Sequence, residues 1–132
     1  MPSTELSELL ANMRPELLAG SYVYVEVPDH GLGDTELLAS VREREGMSAV
    51  IRQSDADRLG LAYDFVAGWI TLRVDSSLSA VGLTAAVSTC LTGHEISCNV
   101  IAGLRHDHLL VPIERSEQAK QVLEELSAAS AR

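Results

Sequence analysis

Residues 94–113 read HEISCNVIAGLRHDHLLVPI. Two apolar, β-branched runs, Ile96–Ile101 and Leu109–Ile113, flank a polar break containing Gly103, Arg105, His106, Asp107 and His108. Such runs on either side of a glycine-containing break predict a hairpin, with strands over Ile96–Ala102 and His108–Ile113 and a turn over Gly103–Asp107. Upstream, Trp69–Val74 (WITLRV) alternates as a strand. Asp75, Ser76 and Ser77 then supply cap chemistry for a helix over Leu78–Leu91, with Leu78, Val81, Ala85, Val87 and Leu91 on one stripe and Gly93 as the stop. Downstream, Glu114 to about Ala128 reads as a final helix with Ala119, Val122, Leu123 and Leu126 inward. Residues 69–128 therefore read β-α-β-β-α, which is a split βαβ unit of ferredoxin-like type without its closing strand.

A three-stranded layer of that kind would leave an open edge, so the first half is expected to complete it. Leu6, Leu9, Leu10 and Met13 recur at helical spacing after Ser3 or Thr4, and Pro15 ends that helix. Ser21–Val27 alternates as a strand, and Pro28–Gly33 is a loop. A helix is predicted from Asp34 to about Glu45, with Leu37, Leu38 and Val41 inward and Gly46 as its stop. Met47–Arg52 reads as a strand, Ser54–Leu59 as one helical turn capped by Ser54, and Ala62–Val66 as a short strand. Ser21–Val27 and Met47–Arg52 are the spare strands. Acidic residues outnumber basic ones 12 to 5 over residues 1–65 but only 7 to 5 over 66–132, which supports a division near residue 67. The expected fold is α+β: two ferredoxin-like βαββαβ units with antiparallel sheets that share strands, over residues 1–66 and 67–132.

Composition narrows the function. A formal charge of −9 leaves no basic surface for phosphates, so no nucleic-acid partner is expected. No apolar run approaches the ~20 residues of a membrane span, and the N-terminus lacks a signal-peptide core, so a cytoplasmic protein without membrane contact is expected. Hydrophobic residues make up 46% and aromatics 4%, so the core is aliphatic. Cys90 and Cys98 form no CxxC pair and read as small buried hydrophobes.

Three places invite chemistry. The Asp75–Leu83 segment (DSSLSAVGL) joins a strand to a helix start, whose unpaired N–H groups and positive dipole end suit a carboxylate. Gly82, read as lying inside the first turns of that helix, carries a propensity penalty of about 1 kcal/mol that close approach of a ligand or another backbone would explain; ordinary capping and tight packing explain the segment as well. His106 and His108 form an HxH pair that would share a strand face and suit a metal. No third ligand is evident, because Asp107 would face the other way and His94 has no fixed geometry. Asn99 interrupts an apolar strand; if buried it needs a hydrogen-bond partner, whether a ligand or neighbouring backbone. Asp107 beside the histidines can be read as an acid/base pair. No nucleophile elbow, phosphate loop or HExxH accompanies it, so an enzyme is not expected, and neither catalytic residues, metal nor cofactor is assigned.

The second half resembles a known family on three motifs: SSLSAVGLTAAVS (Ser76–Ser88), ISCNVIAG (Ile96–Gly103) and HDHLLVP (His106–Pro112). They are similar to the ACT-domain branch that includes the mammalian cytosolic arginine sensors. LLANMRPELLAGSYVYVEV (Leu9–Val27) and VREREGMSAVI (Val41–Ile51) are similar to the domain that precedes this one in small bacterial proteins of the same group. The resemblance implies a tandem ACT fold and regulatory amino-acid binding at an interface between ACT units, in a protein that works without an attached enzyme. Carried onto this chain, it implies a ligand against Ser76, Ser77, Ala80, Val81, Gly82 and Leu83 of the loop and Cys98, Asn99, Val100 and Ile101 of the second strand. It also implies that the protein pairs with a second copy or with a regulated protein. The alternative is a non-catalytic interaction module that binds no ligand.

Overall fold

The computed structural model describes residues 5–75 and 77–131. In chain order the elements are helix α1 (Leu6–Ala11), strands β1 (Pro15–Leu17), β2 (Tyr22–Glu26), β3 (Ala39–Glu43) and β4 (Gly46–Arg52), helix α2 (Gln53–Leu59), strand β5 (Val66–Leu72), helix α3 (Leu83–Gly93), strands β6 (Asn99–Ala102) and β7 (Asp107–Pro112), and helix α4 (Ser116–Ser130). The expected caps Ser3, Thr4 and Ser76 lie outside the described residues. The chain folds into two compact units, one spanning Gly20–Ala67 and the other joining the segment that ends at Ala19 to Gly68–Arg132.

In the Gly20–Ala67 unit, alternation in β2 turns Val23 and Val25 onto Ala49 and Ile51 of β4 and Ala56 of α2, forming a small aliphatic core. The strand order is β3-β4-β2, followed by the start of β5 through the pairs Tyr22↔Ala67 and Val23↔Val66. A hydrogen-bond chain fixes α2. Ser21 Oγ donates to Gln53 Oε1 at 2.7 Å, Gln53 Nε2 donates to Tyr63 Oη at 2.9 Å, and Tyr63 Oη donates to Asp57 Oδ1 at 2.7 Å.

Three expectations fail in this unit. Ser54 lies inside α2 and does not cap it, since the N-cap is Arg52 and makes no side-chain cap hydrogen bond. The helix predicted from Asp34 to Glu45 is irregular chain up to Leu38 and then β3. Residues 39–43 pair with 46–50 around a two-residue Arg44–Glu45 turn, and the Leu38 N–H donates to the Val50 carbonyl at 2.9 Å. Gly46 is the first residue of β4 rather than a helix stop. Val41 is 56% exposed, so the apolar stripe that would have stabilised a helix has nothing to bury against, and the ladder overrides local propensity. The short strand expected over Ala62–Val66 is also absent: residues 61–65 are irregular, and pairing starts at Val66. Because no helix lies between β2 and β3, α2 is the one helix of this unit.

The other unit has the full ferredoxin-like sheet order, β1-β5-β7-β6. The closing strand is β1, which pairs antiparallel with β5 as Pro15↔Leu72, Glu16↔Thr71 and Leu17↔Ile70. The first half does supply the missing strand, as expected, but neither Ser21–Val27 nor Met47–Arg52 is the donor. Helices α1, α3 and α4 cover one face. Leu9, Leu10, Met13, Leu83, Val87, Leu91, Ala119, Val122 and Leu123 pack there onto Ile70, Leu72, Leu109 and Val111. Ser127 Oγ of α4 donates to the Ala11 carbonyl at 3.0 Å, tying the N-terminal helix to the C-terminal one. Each fully buried leucine of this layer contributes about 1.5–3 kcal/mol of transfer free energy.

Boundaries shift here too. Helix α3 begins at Leu83 rather than Leu78, because Gly82 has φ +102°, a left-handed conformation that a right-handed helix cannot include. Leu78, Val81 and Ala85, expected on its inner stripe, are exposed. Regular pairing in β6 starts at Asn99 rather than Ile96, since Ile96 still bonds back to the Leu91 carbonyl at 3.0 Å and is buried in the core. Strand β7 runs over Asp107–Pro112, Ile113–Arg115 forms a 3-10 turn, and the last helix extends to Ser130.

Candidate functional site

One end of the unit formed by Gly68 onward gathers the segments that drew attention in the sequence. Strand β5 ends there, residues 73–82 lead from it into α3, and the hairpin between β6 and β7 closes beside them. The Gly103 N–H donates to the His106 carbonyl at 2.9 Å, and His106 Nδ1 donates to the Val74 carbonyl at 3.2 Å, tying hairpin to loop.

The loop is held by its own groups. The Ser79 N–H donates to Ser77 Oγ at 3.2 Å, and the two hydroxyls lie 2.9 Å apart. Ser76 lies outside the described residues. Ala80 packs against the core, while Val81 is 82% exposed. Gly82 is the N-cap of α3 rather than a residue of its first turns, and the group brought close to it is a side chain: a Cβ there would meet Leu6 Cδ2 of α1 at 3.1 Å. Leu83 is buried in the core. Among the described residues no side chain caps α3 and no acidic residue stands in its first turn, whereas α1, α2 and α4 carry Glu8, Asp55 and Glu117 there. The positive end of the α3 dipole is thus the one left without a carboxylate among these helices.

Strand β6 pairs with β7 on one side as Asn99↔Leu110, Val100↔Leu109, Ile101↔His108 and Ala102↔Asp107, and it ends the sheet order. Val100 and Cys98 pack on the core, while Asn99 is exposed instead of buried. The two segments can therefore offer a ligand backbone groups, with Leu78, Ser79, Val81 and Asn99 among the accessible side chains beside them. Burial pushes the Cys98 thiol up to about 11 and raises that of Cys90, with Glu125 adding to the second shift, so neither is an activated nucleophile.

The histidines do not converge. His106 turns to the Val74 carbonyl, His108 Nδ1 lies 2.9 Å from Thr71 Oγ1, and His94 Nδ1 donates to the Cys90 carbonyl at 3.1 Å. Among the described residues no group of three His, Cys, Asp or Glu side chains could hold a metal ion. Burial raises the Asp107 carboxyl against the opposing pull of His108 and His106. Sequence reasoning missed Trp69 and Thr71 as partners of His108. The i,i+2 spacing of Trp69 and Thr71 in WITLRV, which puts both on the sheet face opposite Ile70 and Leu72, was the available signal.

Comparison with known proteins agrees with this architecture. Profiles of the ACT domain match residues 2–68 and residues 64–125. A Vibrio cholerae protein of unknown function, described as a possible transport protein, is 44% identical over 92% of this chain and 95% of its own, with a TM-score of 0.83. The ligand-free regulatory subunit of aspartate kinase from Thermus thermophilus superposes over 88% of this chain and 97% of its own at 9% identity, with a TM-score of 0.67. The aspartokinase α and β subunits superpose over 85% and 95% at 15% identity and a TM-score of 0.61. No curated protein matches the chain. Among the described residues no helix is long and apolar enough to cross a membrane.

Proposed function

The chain belongs to the ACT domain family, and from that premise we propose that it is a regulatory protein that binds an amino acid and has no catalytic role of its own. The carrying observation is the bare N-terminus of α3 at the end of the Asp75–Gly82 loop. The ligand carboxylate takes the free N–H groups of the first turn of α3, and its ammonium takes backbone carbonyls on the open side of β6. The ligand set is Ser76, Ser77, Ala80, Val81, Gly82 and Leu83 with Cys98, Asn99, Val100 and Ile101. The two ACT regions of the chain are residues 1–66 and 67–132. The relationship to the mammalian arginine sensors belongs to the same proposal and places arginine among the first ligands to try, in a cytoplasmic protein that assembles with a second copy or a regulated protein.

A thermal-shift screen of the twenty amino acids tests this reading. A ligand at 100 times its Kd adds about 2.7 kcal/mol, which one amino acid should show and the others should not. If none shifts the melt at millimolar concentration, the amino-acid reading fails and the interaction module stands. Gly82→Trp is a poor probe, because the left-handed φ and Leu6 would strain any side chain there. Val81→Glu is the better variant. Its carboxylate competes with that of the ligand, so the shift should shrink or vanish, while the ligand-free melting temperature should hold or rise because an acid at a helix start is favourable by about 0.3–1 kcal/mol.

A further inference from the structure

Trp69, Thr71 and His108 form a connected polar chain on the sheet face opposite the α1, α3 and α4 layer. The indole Nε1–H of Trp69 donates to Thr71 Oγ1 at 3.0 Å, Thr71 Oγ1 lies 2.9 Å from His108 Nδ1, and the indole and imidazole centroids are 5.1 Å apart at 42°. Trp69 and Thr71 are buried and His108 is half-buried. Thr71 Oγ1, which accepts the indole proton, can in addition donate its own proton to His108 Nδ1, and this is the arrangement that a latch at His108 requires. That nitrogen accepts only in the neutral Nε2–H tautomer. The Nε2 edge lies beside the hairpin. A Cβ on Gly103 would meet His108 Nε2 at 3.2 Å and the His106 carbonyl oxygen at 2.9 Å, so the glycine makes room for the ring under the closed turn.

We propose that His108 is a proton-operated latch: neutral, it ties the Gly103–His106 hairpin to β5 through Thr71 and Trp69, and protonated, it releases the hairpin. The latch needs no ligand, so it stands apart from the amino-acid proposal. Protonation places an N–H at Nδ1, which deprives the buried Thr71 hydroxyl proton of its acceptor. The charged surroundings act in the same direction overall. Burial first, then His106 and Arg73, disfavour the imidazolium, while Asp107 favours it. Arg73 Nε lies 3.8 Å from a Glu16 carboxylate oxygen on β1, β6 brings no charged side chain, and Arg105 is exposed in the hairpin itself. His108 therefore titrates below its ordinary value of 6.5 when closed, and near that value when open. The closed hairpin is fully favoured above about pH 6.5 and loses ground as the pH falls through that value, because the open form binds the proton more readily. Since Ile101 pairs with His108, release also frees the end of β6.

The 132-residue chain provides the readouts. Trp69 is its one tryptophan. On acidification from pH 8, its emission should follow a single-proton transition. Amide protection over residues 103–107, corrected for intrinsic pH dependence, should fall in the same range while protection of Leu109–Val111 persists. Ring-nitrogen shifts at pH 8 should show His108 as the Nε2–H tautomer. His108→Gln should lose the emission transition and the pH dependence of protection, whereas His106→Gln should keep both. An Nδ1–H tautomer at pH 8, a transition that survives His108→Gln, or hairpin protection that ignores the titration of His108 would each overturn the latch. Should His108→Gln fail to fold, the tautomer and protection measurements on the unmodified protein still decide.

Discussion

Gly68 shows how much one missing methyl decides. A Cβ at this position would sit 2.5 Å from Ser116 Cβ and 3.2 Å from Ser116 Oγ, so β5 reaches the start of α4 only because the side chain is absent. Gly68→Ala should destabilise the protein by roughly 1–3 kcal/mol, the range for overpacking a close contact. Chemical denaturation would measure it, and Ser116→Gly in the same chain should recover part of the loss; an unchanged midpoint in the single variant would refute the tight contact. Nothing in the sequence marked Gly68, because its constraint comes from a residue 48 positions away in the chain. Gly82 did stand out, since glycine near a helix start is costly wherever it occurs. What it accommodates, a left-handed N-cap beneath Leu6, depends on where α1 packs.

Elements with a strong internal pattern were legible. Strand β2 alternates, α4 carries its stripe of Ala119, Val122 and Leu123, and β6 and β7 are separated by a glycine-containing turn; all formed within a few residues of their expected bounds. Strand β1 was not legible, because three residues after a helix stop carry no period. It is a strand because β5 offers it a free edge at Ile70–Leu72. The Asp34–Glu45 segment was misread for the opposite reason: its weak helical spacing had no surface to cover, and hydrogen bonds to β4 outweighed it. Helix α1 was visible as amphipathic, but its destination was not. Leu9 is fully buried in the core formed with α3 and α4. Leu9→Ala should therefore cost about 2–5 kcal/mol and lower amide protection in α4 as well as in α1; protection lost in α1 alone would mean that the helix is a detachable appendage.

At the scale of the whole chain, the residues that complete the C-terminal ACT unit lie at the other end of the sequence. A fragment of residues 68–132 keeps β5 from Gly68 onward, α3, β6, β7 and α4 but lacks α1 and β1. It should give neither a cooperative melt nor a dispersed NMR spectrum; a folded fragment would show that the N-terminal segment is dispensable. Acidic excess in the first half hinted at a division of the chain, yet charge follows surface and not contacts, so it could not show that residues up to Ala19 fold with the second half. The sequence by itself determined the α+β class and the β-α-β-β-α order of residues 69–128, because periodicity and turn chemistry are local; the loop and strand proposed for the ligand come from the family resemblance. Only the tertiary structure decided that β1 closes the sheet, that the first unit lacks a helix between β2 and β3, and that Trp69, Thr71 and His108 meet. Those outcomes depend on which edges and faces remain open once the other elements have packed, and no local pattern encodes that.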